Sequence, residues 1–475
     1  MNYIDFVKLW EMHSQAPSLI AGDKQITYHA LHLKVVSKID ELKKAGISSG
    51  DRVALFGTTS ISYIINLLSL LHMDVIAIPL SIRHTETQVH ERLKQSGCVK
   101  IIAQESSMNF KFSSRVNVFD MEEGEFSNHY MQLAQLPLTQ PATIIFTSGS
   151  SGSPKAVLHT IGNHYFSALG SAENIPLKPG DRWLVTLPLY HVGGLAIIFR
   201  TLLAGATAVI LQDDLSLSEN LRLSAISHIS LVPTQLVKLI EEETDFPALK
   251  AVLLGGAAIS PEIVRRALQA RLPLYLSYGS TEMASQITTT HADDPARLDG
   301  TSGYILNYRS LTIAQDNEIL VKGLTLSPGY LEGDQIYPLI DDDGWFHTGD
   351  LGIIDSLGRL RIIGRKDNMF ISGGENIYPE EIESVLLSHP GIMDAIVVEI
   401  PDEKFGFRPV AFLSLKEGLK IDEKDVSRFL SDKIERFKIP LQLLSWPGIG
   451  NDLKPSREQF RKIARQQINE TNSTE

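Results

Sequence analysis

Residues 51–80 read DRVALFGTTSISYIINLLSLLHMDVIAIPL, and the fold class turns on how this stretch divides. Asp51-Arg-Val-Ala-Leu-Phe-Gly is a short apolar run bounded by turn residues, which reads as a buried strand. The apolar stretch from Ile61 to Leu80 is long enough to raise a membrane span. His72 and Asp74 interrupt it, however, and Pro79 ends it. It divides better into a buried helix, Ser62–His72, and a short strand, Val75–Ile78. Strand, helix and strand without polar alternation signal a parallel sheet covered on both faces.

The same signal repeats outward from this unit. A polar helix around Thr85–Gln95 leads into Val99-Lys-Ile-Ile-Ala. Further buried-type strands follow at Thr143-Ile-Ile-Phe, Arg182-Trp-Leu-Val-Thr-Leu, Ala206-Thr-Ala-Val-Ile-Leu, His228-Ile-Ser-Leu-Val, Lys250-Ala-Val-Leu-Leu and Pro273-Leu-Tyr-Leu. The prediction is an α/β fold with stacked, mainly parallel sheets, whose ligands gather at the carboxyl ends of the strands. After about residue 295 short strands and glycine turns dominate, forming a β-subdomain that runs to Gly364. A compact α+β region follows, with a helix at Tyr378–Ser388, strands at Ile392–Glu399 and Pro409–Leu415, and a helix at Glu423–Phe437. Two domains are expected, a large one over residues 1–365 and a small one over 366–475.

Composition excludes several function classes. The 475 residues are 43% hydrophobic and 21% charged, an ordinary globular balance. Forty-four basic residues against 56 acidic ones leave a net charge of −12, which argues against a general nucleic-acid binder or a polybasic membrane anchor. An anionic ligand is still allowed, because backbone amides bind phosphate without help from net charge. Cys98 stands alone, which excludes an internal disulfide and a multi-cysteine metal cage. The start, MNYIDFVKLWEMHS, lacks the marks of an export signal, so a cytoplasmic enzyme is the default. Val192–Leu211 is apolar but carries Arg200 at its middle and is broken by glycines, so it too is read as buried.

Five motifs carry chemistry. Thr147-Ser-Gly-Ser-Ser-Gly-Ser-Pro-Lys155 follows a buried strand and has the makeup of a phosphate cradle: glycines for close approach, hydroxyls, and one ammonium. A flexible linker is the plain alternative, disfavoured because a linker rarely interrupts a strand–helix unit. It is not a Walker loop, since Pro154 precedes Lys155 and Ala156 follows it, which counts against a P-loop phosphotransferase. Tyr278-Gly-Ser-Thr-Glu282 puts a carboxylate at a strand end, a natural magnesium ligand, or simply a helix cap. Gly344-Trp-Phe-His-Thr-Gly-Asp350 offers an acidic residue for ribose hydroxyls, though such turns are common. Gly358 to Glu383 reads as strand, charged turn, strand, glycine turn and helix, with Arg365-Lys-Asp at the domain boundary. Pro188-Leu-Tyr-His-Val-Gly-Gly194 is a further strand end whose Tyr190 and His191 wall a pocket or merely pack.

In this order and spacing the five segments resemble the adenylate-forming superfamily: acyl- and aryl-CoA synthetases, adenylation domains of peptide synthetases, and luciferases. The resemblance runs from about residue 25 to residue 465. It implies ATP, CoA and an aromatic carboxylic acid as substrates, with Mg2+ as cofactor. It implies no nucleic acid and no membrane partner, and leaves self-association into a homo-oligomer open. The acid attacks the α-phosphate of ATP, and the CoA thiol then takes the acyl group from the acyl-adenylate. A stand-alone adenylation enzyme loading a carrier protein is the near rival, and a nucleotide-binding protein without catalysis is the non-enzyme one.

The resemblance also implies site residues. Thr147, Ser148, Gly149, Ser150, Ser151, Gly152 and Lys155 match the loop around the β- and γ-phosphates. Thr281 and Glu282 match the α-phosphate contact and the magnesium ligand. Tyr278, with Gly279 and Ser280 beside it, and Gly255–Gly256 match the adenine slot. Asp350 and Arg365 match the ribose contacts, and Asp367 the hinge of a mobile small domain. His191 matches a residue lining the acyl pocket. Lys454 looks like the catalytic lysine that bridges carboxylate and α-phosphate. The family's usual glycine before it is Leu453 here, and Lys438 and Lys462 are the nearest alternatives. A second substrate carboxylate is expected to meet a Gln or Lys near Asn163-His164.

Overall fold

Alternation within single strands builds the layers. In a computed structural model, which describes residues 2–104, 117–121, 133–147, 154–242, 245–257, 259–416, 419, 422–431, 433–447 and 457–472, Val53 and Leu55 of the strand Arg52–Phe56 face one hydrophobic cluster. Ala54 and Phe56 face another. Likewise Trp183 and Val185 face the first cluster, while Leu184 between them faces a third. Successive strand side chains point to opposite faces, so each sheet is buried on both sides.

One sheet has eight strands, with Arg52–Phe56 parallel to Ile76–Leu80 and Lys100–Ala103 at its centre. The other has thirteen strands. Its parallel half runs through Arg182–Val185, Thr207–Ile210, His228–Leu231, Ala251–Leu254 and Leu274–Ser280. Its antiparallel half, from Ser285–Thr289 to Arg359–Arg365, is the expected β-subdomain. The first cluster joins the inner faces of both sheets through the helices Tyr28–Lys44, Ile61–His72, Ile161–Asn174 and Val192–Ala204. A helix packed between two sheets must be apolar nearly all round. That accounts for the membrane-like look of Ile61–His72, in which ten of twelve residues are buried. Among the described residues no helix is long and apolar enough to cross a membrane.

Two expectations change. The strand before the Ser/Gly-rich loop, Pro141–Phe146, does not lead into a helix. It pairs antiparallel with Ala156–Thr160, Phe146 opposite Ala156, so the loop caps a hairpin. A buried strand looks the same whichever way it runs, which is why composition suggested a strand–helix unit. The helix expected over Glu423–Phe437 ends at Ser431, and a short 3-10 turn follows at Arg436–Lys438.

The C-terminal region has its own five-stranded sheet, built on the long antiparallel pair Ile392–Asp402 and Gly406–Leu415. Two clusters of its own cover the two faces. Cys98 is buried as expected; its Sγ lies 3.2 Å from the Arg52 carbonyl and 3.1 Å from that of Lys100, and burial pushes the thiol up to about 11.

Candidate active site

Thr147 and Lys155 form the neck of the first motif. The Thr147 amide donates to the Lys155 carbonyl at 3.0 Å, and Gln95 Nε2 donates to the Pro154 carbonyl at 2.9 Å. Ser148, Gly149, Ser150, Ser151 and Gly152 lie outside the described residues. The Lys155 ammonium is exposed and sits 4.7 Å from the centre of the Tyr330 ring.

The second motif ends the strand Leu274–Ser280. Gly279 has no room for a side chain: a Cβ there would lie 2.0 Å from the Ser285 carbonyl oxygen. Thr281 is held by its carbonyl, which accepts from His159 Nε2 at 2.7 Å. Burial pushes His159 down to about 4, so the ring is neutral and this bond fixes its tautomer. Glu282 Oε1 accepts from the Tyr330 hydroxyl at 2.9 Å, and the Glu282 carbonyl accepts from the Ser327 amide at 2.8 Å. Ala284 and Ser285 follow with φ of 51° and 116°, left-handed conformations that cost free energy in non-glycine residues and cluster at functional sites.

Tyr278, at the head of this motif, reaches the third and fourth. Its hydroxyl donates to Asp350 Oδ2 at 2.6 Å. Asp350 Oδ1 accepts from Arg365 at 2.8 Å, and the same guanidinium reaches Asp367 Oδ2 at 3.3 Å. Asp350 and Arg365 face each other across paired strands, so the backbone register sets this pair. Burial works against the Arg365 charge, but Asp350 and Asp367 outweigh it and hold the guanidinium protonated. Burial, with Asp350 beside it, raises the Tyr278 phenol well above its usual range. Gly255 and Gly256 follow the neighbouring strand end. Gly256 has φ of 87°, and a Cβ on Gly255 would lie 2.7 Å from Ser277 Oγ. Ser280 Oγ accepts from the Met283 amide.

The structure thus gives two contact groups that share the Tyr278–Glu282 motif: Glu282 contacts Tyr330, whose ring carries Lys155, and Tyr278 contacts Asp350, which pairs with Arg365 and through it with Asp367. His191 is exposed at the start of the helix Val192–Ala204, its ring against Tyr190 at 4.7 Å. Lys454 lies outside the described residues. Its alternatives are engaged: Lys438 pairs with Glu381 and Glu435, and Lys462 with Glu458. Asn163 and His164 turn inward rather than toward a ligand. Asn163 donates to the Leu324 and Leu326 carbonyls, and His164 bonds Thr143 and stacks on Phe199.

Sequence reasoning missed three residues here. Tyr330 and His159 gave no signal, being ordinary strand positions. Arg200 did give one, as a charge in an apolar run, but it was used only against a membrane span. Arg200 is buried, donates to Gln286 Oε1 at 2.7 Å and Ser285 Oγ at 3.2 Å, and its Nε has no partner among the described residues. Burial, with Arg309 nearby, pushes it down to about 9, so it is still charged at neutral pH. These hydrogen-bond partners are neutral, and one of them, Ser285, follows Glu282 by three positions. A buried cation in such surroundings calls for an anion.

Among the described residues no group of three or more His, Cys, Asp or Glu side chains is arranged to hold a metal. A lone carboxylate suits magnesium, which keeps its waters and takes its remaining ligands from substrate phosphates. Glu282 therefore fits the ion the resemblance implies.

The sequence profile of the AMP-binding enzymes matches residues 6–331, and that of the AMP-binding enzyme C-terminal domain matches residues 381–447. The 2-succinylbenzoate–CoA ligase of Bacillus cereus (strain ZK / E33L) is 33% identical over 465 residues, covering 94% of this chain and 95% of the relative. That of Geobacillus sp. (strain WCH70) is 32% identical, covering 89% of each. The structure of o-succinylbenzoate CoA synthetase (MenE) from Bacillus subtilis in complex with the acyl-adenylate intermediate OSB-AMP superposes with a TM-score of 0.86 at 28% identity, covering 96% of this chain and 97% of that one. The same Bacillus subtilis enzyme in complex with ATP and magnesium ion gives 0.85 at 28% identity, covering 96% and 98%.

Proposed function

The chain belongs to the AMP-binding enzyme family, and from that premise we propose that it is a 2-succinylbenzoate–CoA ligase, forming an acyl-adenylate and then a CoA thioester. The observation that supports the site reading is that the two ends of the Tyr278–Glu282 motif reach residues of the other three blocks, as a site for one extended ligand would require.

The chemistry follows from charge. A carboxylate must approach the α-phosphate of ATP, so two anions have to meet and their repulsion has to be offset before reaction. Lys155 and the loop it closes hold the β- and γ-phosphates. Glu282 would hold magnesium, which when bound would neutralise phosphate charge. Thr281, fixed from behind by His159, takes the α-phosphate. Tyr278 and Gly255–Gly256 wall the adenine, and Asp350 with Arg365 takes the ribose hydroxyls. Arg200 holds the second carboxylate of the acid, and His191 lines the entrance. Lys454 brings the final cation to the forming bond. Residues 366–475 form the small domain, which turns about Asp367 between half-reactions and keeps water from the acyl-adenylate. CoA is the acceptor, the setting is the cytoplasm, and the reaction serves menaquinone synthesis.

A panel of aryl, fatty and short-chain acids, incubated with ATP, Mg2+ and CoA, tests the assignment. AMP and a thioester should appear fastest with 2-succinylbenzoate. A clear preference for a fatty or monocarboxylic acid overturns the substrate, and ADP as product overturns the reaction.

A further inference from the structure

Tyr330 touches both charged groups of the phosphate end of the site. Its ring carries the Lys155 ammonium at 4.7 Å from its centre, and its hydroxyl donates to Glu282 Oε1 at 2.9 Å. The backbone fixes this placement twice. Tyr330 lies opposite Val157 on the antiparallel pair Ala156–Thr160 and Gly329–Glu332, two residues from Lys155. At the start of the same segment, the Ser327 amide donates to the Glu282 carbonyl, and Ser327 Oγ bonds the Leu158 carbonyl. Among the described residues, Lys155 and Glu282 do not ion-pair with each other, though both belong to the same small site.

That separation has a physical use. An ammonium and a carboxylate facing one another without a spacer would pair directly, and nucleotide binding would first have to break the pair. A ring face and a phenol hydroxyl each satisfy one charge weakly and neutrally. Both can be relinquished or retained as phosphate and metal arrive. A phenol hydroxyl facing a carboxylate oxygen can only donate to it.

We propose that Tyr330 is a positioning residue that holds Lys155 and Glu282 apart, keeping the lysine free for phosphate and the carboxylate oriented for magnesium. This rests on the reading of Lys155 and Glu282 given above. It assigns the two halves of one side chain separable roles, ring for lysine and hydroxyl for carboxylate.

Calorimetric ATP binding to the full chain, in EDTA and across a magnesium titration without acid substrate, tests it. Tyr330→Phe keeps the ring, so ATP affinity in EDTA should stay within about 2-fold of wild type. The magnesium concentration that half-maximally strengthens binding should rise about 10-fold, as for other lost hydrogen bonds to metal ligands. Tyr330→Leu removes both contacts and should also weaken ATP binding in EDTA, by about 10-fold if lysine and glutamate now pair. Adding Glu282→Gln to Tyr330→Leu should restore binding in EDTA to that of Glu282→Gln alone. An unchanged magnesium requirement in Tyr330→Phe overturns the proposal; so does a Tyr330→Leu variant that binds ATP in EDTA like wild type. Should Tyr330→Leu fail to fold by circular dichroism, the phenylalanine variant decides alone. If wild-type ATP binding responds neither to magnesium nor to Lys155→Ala, the parent reading falls and this inference with it.

Discussion

The role proposed for Arg200 shows how a single residue can carry substrate information that a motif does not. In the proposed reading the four blocks recognise a nucleotide, and nothing in them distinguishes one acid from another. On the proposed reading the buried guanidinium beside Ser285 does, because it offers a positive charge to a second carboxylate that a plain aromatic or fatty acid lacks. Arg200→Met should raise KM for 2-succinylbenzoate about 10–100-fold, the range for a hydrogen bond to a charged group. KM for ATP should stay within about 2-fold, and benzoate should lose far less than the diacid. Equal losses for both acids, measured as AMP formation, would mean that Arg200 merely supports the fold. At this scale the blocks were readable as blocks, and the structure brings Tyr278, Asp350 and Arg365 from three of them into contact. Tyr330 and His159 were unreadable because their roles arise from strand register, which a lone sequence does not encode.

Among elements, the loop-bearing hairpin corrects the sequence reading most. Ser/Gly-rich phosphate loops often end at a helix N-terminus, where the dipole helps hold phosphate. Here the strands on either side of the loop pair antiparallel, so the chain runs from it into a strand rather than a helix. The strand that follows it carries His159 and leads into the helix with His164, both buried between the sheets. Burial pushes His72 and His159 down to about 4 and His164 well below 6.5. These values lie below that of an unfolded histidine, so the unfolded chain binds more protons between pH 4 and 6.5. Their stabilising contribution is therefore complete above about pH 6.5 and is lost as pH falls toward 4. By pH 5 the loss from His72 and His159 should be about 2 kcal/mol each, before most carboxylates titrate. Urea unfolding at pH 7.5 and pH 5.0 measures it, and His159→Gln should shrink the difference. A stability unchanged over this interval would contradict the neutral, buried state. Strand positions were legible because unbroken apolar runs betray two-sided burial. Strand direction was not, since the same run serves a parallel or an antiparallel neighbour.

For the whole molecule, the chemistry asks for two arrangements of one chain, one to make the adenylate and one to hand it to CoA. The boundary expected at residues 365–366 falls where Arg365 bridges Asp350 to Asp367 and where Lys366 pairs with Asp316 and Glu318. Farther on, Arg457 is buried among Glu383, Glu380 and the Val397 carbonyl, a firm start for the helix Arg457–Asn472. In the proposed reading the lysine three positions earlier, Lys454, acts only while the carboxylate attacks phosphate. Lys454→Ala should slow adenylation about 10²–10³-fold and leave thioester formation from supplied acyl-adenylate nearly untouched. Equal damage to both half-reactions would count against its role. The change in strand and turn density near residue 295 and again after 364 was legible, and the region beyond it has a sheet of its own. The proposed turn about Asp367 was not legible in composition, because a hinge leaves no pattern in hydrophobicity.

The most direct measurement is exchange of labelled pyrophosphate into ATP with magnesium and 2-succinylbenzoate, CoA being left out. Exchange that requires the acid is expected, since reversible adenylate formation needs no thiol. No exchange with any acid, or nucleotide turnover to ADP, would contradict an adenylate-forming site.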